Sequence, residues 1–313
     1  MNRVKPYLQL IRLPNLFTAA ADSLAGWLIV KGSLDEPDFW LWLVAASVAI
    51  YAGGIVLNDA FDYRIDLAER PNRPLPSGRV SRRFAGWFGV IALALGPILA
   101  GCSGSTASLV VALILAACVL AYDAGLKRTV FGPEAMGTCR ALNFLLGLSQ
   151  APNLGGPDAW LAAGALGLFV VGVTWISRSE VETGKTRGIV AGFLLEALAL
   201  AGLVVAGARM ALEAASPPPM SMAWPPPPMA WPPNLGIGLA VFGVVAAIVL
   251  RSVILAIRRP EPIATQRAVK TGVLALVWLD VALVACAQGP SAALVVAALW
   301  VPAFLLGKWL YST

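Results

Sequence analysis

Leu57-Asn-Asp-Ala-Phe-Asp-Tyr-Arg-Ile-Asp66, continued by Leu67-Ala-Glu-Arg-Pro-Asn-Arg-Pro-Leu-Pro-Ser-Gly-Arg-Val-Ser81, is the stretch around which this chain is organised. It follows a long apolar run, where a buried helix meets water. At ~100° per residue, Asn58, Asp59, Asp62 and Asp66 fall on one helical stripe roughly 100° wide. Three carboxylates and an amide so placed repel one another unless a cation lies between them. A hard divalent ion meets that need, and Mg²⁺ typically takes one or two carboxylates and leaves room for substrate phosphates. The plainer reading is a solvated acidic helix end with its arginines in surface pairs. That reading does not account for three Asp sharing one side. The Pro-Asn-Arg-Pro-Leu-Pro-Ser-Gly tail is also too rigid for a generic linker.

Outward from this stretch, the composition is that of a membrane protein. Of 313 residues, 58% are hydrophobic and 13% charged, with a mean hydropathy of +0.77. Soluble domains carry about 25% charged residues. Apolar runs near 16–30, 39–57, 85–101, 106–122, 136–150, 159–176, 188–206, 235–257, 269–287 and 291–307 are candidate spans. The fold class is therefore all-α: a polytopic transmembrane helical bundle of nine or ten spans, with residues 1–313 as a single membrane-embedded domain. The first run is read as an uncleaved span rather than a signal peptide. Histidine is absent, which excludes histidine acid–base chemistry and histidine metal ligands. The four cysteines are scattered, with neither metal-ligand nor disulfide spacing.

Charge sets the topology. The net charge of +6 would suggest nucleic acid as a partner in a soluble protein, but here the basic residues lie in alternate loops. Arg64, Arg70, Arg73, Arg79, Arg82 and Arg83 follow the second span, and Lys127 and Arg128 follow the fourth. Arg178, Lys185 and Arg187 follow the sixth, and Arg258, Arg259, Arg267 and Lys270 the eighth. Only Lys31 and Arg209 of the 23 basic residues fall in the opposite loops. The expectation is an integral protein of a bacterial-type inner or plasma membrane, its acidic motif facing the cytoplasm. The segment 216–234, with its near-duplicated Met-Ala-Trp-Pro-Pro unit, is read as a proline-rich extracytoplasmic loop.

The acidic stretch resembles the first signature of the UbiA superfamily of membrane prenyltransferases. The match lies in Asn-Asp-x-x-Asp-x-x-x-Asp and the Arg-Pro-Leu-Pro-Ser-Gly-Arg-Val-Ser that follows. The resemblance implies a Mg²⁺-dependent enzyme that binds an isoprenyl diphosphate and transfers the prenyl group to an acceptor. It implies metal and catalytic roles for Asp59, Asp62 and Asp66, with Asn58 and Arg73 holding substrate. Arg12-Leu-Pro-Asn-Leu-Phe-Thr-Ala-Ala-Ala-Asp22 resembles the opening of family members and adds Asn15 as a substrate contact. Tyr122-Asp-Ala-Gly-Leu-Lys-Arg128 resembles the family's Tyr-x-x-x-Leu-Lys-Arg element, which gives Tyr122 and Arg128 to substrate and Lys127 to catalysis. Read alone, that basic pair is equally a positive-inside anchor.

Arg140 and Asn143 lie one turn apart on an apolar run. A charge this deep needs a partner: a diphosphate, an Asp of the first motif, or Glu134. Where the family has a second Asp-x-x-x-Asp, this chain reads Ser177-Arg-Ser-Glu-Val-Glu182. Glu180 and Glu182 are then the candidate second metal ligands, and Arg178 a candidate substitute for one ion's charge. The segments at Tyr122 and Met136 also resemble the EboC-like branch. Asp22, Glu196 and Asp280 sit inside spans, where helix–helix hydrogen bonds explain them as well as a cavity does. Phe61, Tyr63 and Tyr122 are candidates for stabilising an allylic cation.

Two functions stay open. One is prenyl transfer from an isoprenyl diphosphate to an aromatic or other small acceptor of unknown identity, among membrane lipid and without nucleic acid. The other is a non-catalytic transport or scaffold protein that binds a prenylated precursor. A head-group transferase is disfavoured, because its Asp-Gly…Ala-Arg signature is missing.

Overall fold

The computed structural model describes residues 4–179, 186–216 and 232–311. Glu180, Glu182 and most of the proline-rich 216–234 segment lie outside these. Among the described residues the regular elements are all helices: α1 Lys5–Leu10, α2 Leu13–Lys31, α3 Pro37–Phe61, α4 Tyr63–Glu69, α5 Arg82–Cys102, α6 Thr106–Ala124, α7 Gly132–Leu148, α8 Gly156–Arg178, α9 Thr186–Ala215, α10 Pro233–Arg258, α11 Pro262–Gln288, α12 Pro290–Ala298 and α13 Trp300–Tyr311. A short 3₁₀ turn, Leu126–Arg128, follows α6. Many starts carry proline in the first turn, where its missing N–H costs nothing. Ser81 and Ser105 cap α5 and α6 by accepting from Phe84 N and Ser108 N. Gly32 ends α2 at φ 73° and Gly289 ends α11 at φ 90°, a region where only glycine is unstrained.

Among the described residues, nine helical segments are long and apolar enough to cross a membrane. The sequence places the surplus run at the C-terminus. Instead Pro290–Leu310 is among the nine, and α7 falls outside them with 17 residues. At 1.5 Å per residue such a helix covers about 26 Å, slightly less than a typical hydrocarbon core. It nonetheless runs between the same two ends as its neighbours. Its start adjoins the Leu126–Arg128 turn, and at its far end Ser149 meets the Ser108 hydroxyl at 2.7 Å.

The helices pack in chain order and the bundle closes where α11 meets α2. In lipid such closure relies on small residues at the crossings. A Cβ on Gly137 of α7 would lie 2.5 Å from Gly167 O of α8, so these backbones are in direct contact. At the end away from the acidic motif, both exceptional basic residues are paired. Lys31 meets Glu36 at 3.3 Å and Arg209 meets Asp158 at 2.7 Å.

A polar knot sits inside the bundle. Asp22 on α2 and Asp280 on α11 are both fully buried, and Arg140 on α7 is nearly so. Arg140 pairs closely with Asp22 and lies 3.7 Å from Asp280. Asn143 donates at 2.9 Å to both Asp22 Oδ2 and Ala19 O, and accepts from Ser47 of α3 at 2.6 Å. Four helices are thus joined by one guanidinium, two carboxylates, an amide and a hydroxyl. Glu196 is buried separately, against Gly172 and Gly272.

Two outcomes check this packing by thermal unfolding in detergent. Gly137→Ala forces a backbone shift and lowers stability by about 1–3 kcal/mol, whereas Gly164→Ala, which meets nothing within 4 Å, leaves it within about 0.5 kcal/mol. Arg140→Met strands two buried acids and costs about 3–5 kcal/mol.

Candidate active site at the acidic mouth

The acidic stripe is broken. Helix α3 ends at Phe61, Asp62 takes φ −85° and ψ 4°, and α4 restarts at Tyr63. The three aspartates therefore do not line one straight helix. Asp59 and Asp66 turn to one side and Asp62 to the other, and basic side chains hold each.

On the first side, Arg73 bridges two carboxylates. Its Nη1 lies 2.8 Å from Asp66 Oδ2 and 3.5 Å from Asp59 Oδ1. Arg12 Nη2 donates to the same Asp59 oxygen at 3.0 Å, and Arg70 lies 4.0 Å from Asp66. Asp59 and Asp66 are buried, so an unmatched charge on either would cost several kcal/mol. The loop that supplies Arg73 is built to be stiff. Leu75 and Val80 are buried in a small apolar cluster with Leu10, Val56 and Ala85. Ser77 N and Ser77 Oγ both donate to Arg73 O, at 3.0 Å and 2.6 Å.

Arg12 is held in the left-handed region between α1 and α2, at φ 47° and ψ 52°. A non-glycine residue there is strained by about 1–3 kcal/mol, and such strain collects at functional sites. The bend separates the two helices and turns the guanidinium toward Asp59. The sequence reading gives Arg12 only as the start of the segment resembling the opening of family members; its contact with Asp59 comes from the fold.

On the second side, Lys127 Nζ donates to Asp62 Oδ2 at 2.7 Å and to Asn58 Oδ1 in a very short contact. Arg128 Nη2 reaches Asp62 Oδ1 at 3.0 Å. The Lys127 side chain is 9% exposed and that of Arg128 58%, so Lys127 carries most of this grip. Asp123, buried at the end of α6, lies near enough to Lys127 to feel its charge. The sequence reading passes over it, although an acid closing an apolar run was visible.

Several expected members stand elsewhere. Arg140 pairs with Asp22 and Asp280 rather than with the motif or Glu134, and Asn143 bonds within the same knot. Arg178 Nη2 donates to the carbonyls of Lys127 and Thr129, not to the acids. The Tyr63 ring lies under Arg82, 5.2 Å from the guanidinium carbon, and Phe61 is exposed. Asn15 and Tyr122 are half-buried, Asn15 in the first turn of α2 beyond Arg12 and Tyr122 next to Asp123.

The three aspartates expected to hold metal stand in two sets rather than around one point. Among the described residues no three acids converge as a metal-ligand group. The donors nonetheless suit a hard cation in kind. They are carboxylate and amide oxygens in two sets, Asp59 with Asp66 and Asp62 with Asn58, and one or two carboxylates suffice for Mg²⁺ when phosphate and water supply the rest.

A family model described as the UbiA prenyltransferase family matches residues 19–268. The curated digeranylgeranylglyceryl phosphate synthase of Ignicoccus hospitalis is 30% identical over 237 residues, 71% of this chain and 75% of that protein. The protein of the same name from Sulfolobus acidocaldarius is 40% identical over 96 residues, 31% of this chain and 34% of that protein. The chain spans about a third to a half of the length of most curated relatives it matches. Their name is not that of the EboC-like branch. A solved structure described as "Structural and mechanistic insights into the biosynthesis of Digeranylgeranylglyceryl phosphate synthase in membranes" superposes with a TM-score of 0.60 at 22% identity. It covers 92% of this chain and 99% of that one, and the likeness is one of fold. The matched region takes in all four acids of the mouth, Arg73, Lys127, the buried knot up to Arg140, and Arg178; the chain belongs to the UbiA prenyltransferase family.

Proposed function

We propose that this chain, as one membrane-embedded unit, transfers an isoprenyl group from an isoprenyl diphosphate to a hydroxyl of a glyceryl phosphate lipid. The observation that carries the reading is the pair of acid–base clamps at one mouth, Asp59–Arg73–Asp66 and Asn58–Lys127–Asp62. The glyceryl phosphate acceptor is taken from the relatives' name and replaces the aromatic acceptor as the first choice. The Lys/Arg bias of the loops supports a mouth on the cytoplasmic side.

The chemistry follows from charge. A diphosphate leaves an allylic carbon when its developing negative charge is neutralised. Lys127, Arg128 and Arg73 supply cations at the mouth, and their own carboxylates hold them aimed there. Asp59 with Asp66, or Asp62 with Asn58, would hold Mg²⁺, which would supply Lewis-acid stabilisation of the leaving group. Glu180 and Glu182 remain candidates for a second ion. The C–O bond to diphosphate breaks with its electron pair leaving on oxygen. The acceptor oxygen bonds to the prenyl carbon and gives up its proton. The apolar bundle keeps water from the cation.

Mutual neutralisation of the acids by the chain's own lysine and arginines favours one second reading, a protein that binds a prenylated precursor without reacting. Purified protein given Mg²⁺, geranylgeranyl diphosphate and a geranylgeranylglyceryl phosphate acceptor separates the two. Release of diphosphate with a new ether lipid supports transfer; retention of intact diphosphate sinks it. In that assay Asp62→Asn and Lys127→Ala each lower turnover by about 100-fold or more, while Arg128→Ala costs at most a few-fold, following their exposures. Chelation of divalent ions abolishes turnover and Mg²⁺ restores it.

A further inference from the structure

Lys127 sits on a 3₁₀ turn of only three residues, and a turn that short does not hold its own geometry. What holds it comes from another helix, α8, which packs on the α7 that follows the turn. Arg178, the last residue of α8, donates from Nη2 to Lys127 O at 2.9 Å and to Thr129 O at 2.7 Å. One carbonyl belongs to the middle residue of the turn and the other to the residue just after it, so one guanidinium ties the turn to its exit like a staple. The same contact explains Gly132 at the start of α7. A Cβ there would collide with Arg178 Nη2 and lie 2.9 Å from Lys127 O and 3.1 Å from Leu126 O.

We propose that Arg178 is a positioning residue for Lys127. It fixes the backbone of the turn so that Nζ bears on Asp62 and Asn58, and Gly132 leaves the room this requires. The role rests on the prenyl-transfer reading above. It differs from the substitute-ion role the sequence suggests, because the guanidinium faces carbonyl oxygens rather than diphosphate or acids. Displacements near 1 Å at a charged catalytic group cost about 100-fold in rate, so a loosened turn is expected to register in turnover. A lysine at the position offers a point donor in place of a planar fork and restores the staple only in part.

The test is a double-mutant cycle in purified protein. Arg178→Ala lowers kcat/KM for the isoprenyl diphosphate about 10- to 100-fold, with KM for the acceptor unchanged. Arg178→Lys recovers part of the loss, and Gly132→Ala reproduces it. In a Lys127→Ala background, Arg178→Ala adds less than about twofold, because the group it positions is gone. The inference is overturned if Arg178→Ala stays within about twofold of the wild type, or if it loses the same factor with and without Lys127, which would mark general damage. Inactive Lys127→Ala beside fully active Arg178→Ala would sink the inference alone. A wild-type protein that never consumes the diphosphate would sink the inference together with the prenyl-transfer reading.

Discussion

Three carboxylates gathered at one end of a helical bundle, Asp59, Asp62 and Asp66, must each find a cation, and that requirement shapes this end of the molecule. Asp59 and Asp66 are buried, and Asp62 is partly so. Left unmatched, each buried charge would cost several kcal/mol. The chain meets the demand with arginines from three separate places: a left-handed bend before α2, a proline-stiffened loop after α4 and a short turn after α6, which also brings Lys127. Every one of these irregular segments is held in place by packing or by backbone hydrogen bonds. The helices supply the frame, while the breaks between them set where the charges fall.

The bundle interior solves a different problem with the same means. In lipid no hydrophobic effect drives helices together, so close backbone approach and polar cross-links do that work. Gly137 against Gly167 provides the first, and the Asp22–Arg140–Asp280 knot provides the second. Arg140 is consumed by this knot, which is why a residue resembling a substrate contact stands apart from the mouth. Asn143 likewise spends its amide on Asp22 and Ala19. The two polar centres thus divide the labour, one fixing helix positions and the other presenting charge to the outside.

Much of this was legible in the residues. The apolar runs gave the helices, because spans of about 20 residues carry a strong signal. The helical spacing singles out Asp59, Asp62 and Asp66, the family resemblance adds Arg73 and Lys127, and the fold brings these residues to one mouth. What escaped was tertiary or subtle. The break at Asp62 leaves no proline or glycine behind, so a continuous stripe was the natural reading. Arg12 meets Asp59 across 47 positions of chain, a pairing that no local pattern announces. Arg140 had Glu134 nearby in sequence, yet its partners come from α2 and α11, which no local pattern could name. α7 is shorter than a full span, and its length rather than its composition sets it apart.

The knot also has a history written into the order of the chain. Asp22 emerges from the ribosome with the first long helix, long before Arg140 has been made, and Asp280 arrives almost last. A newborn α2 therefore enters the bilayer carrying an acid with no arginine to meet it. The guanidinium of α7 can join α2 to α11 only after all three helices have been made, which leaves this cross-link to a late step of assembly.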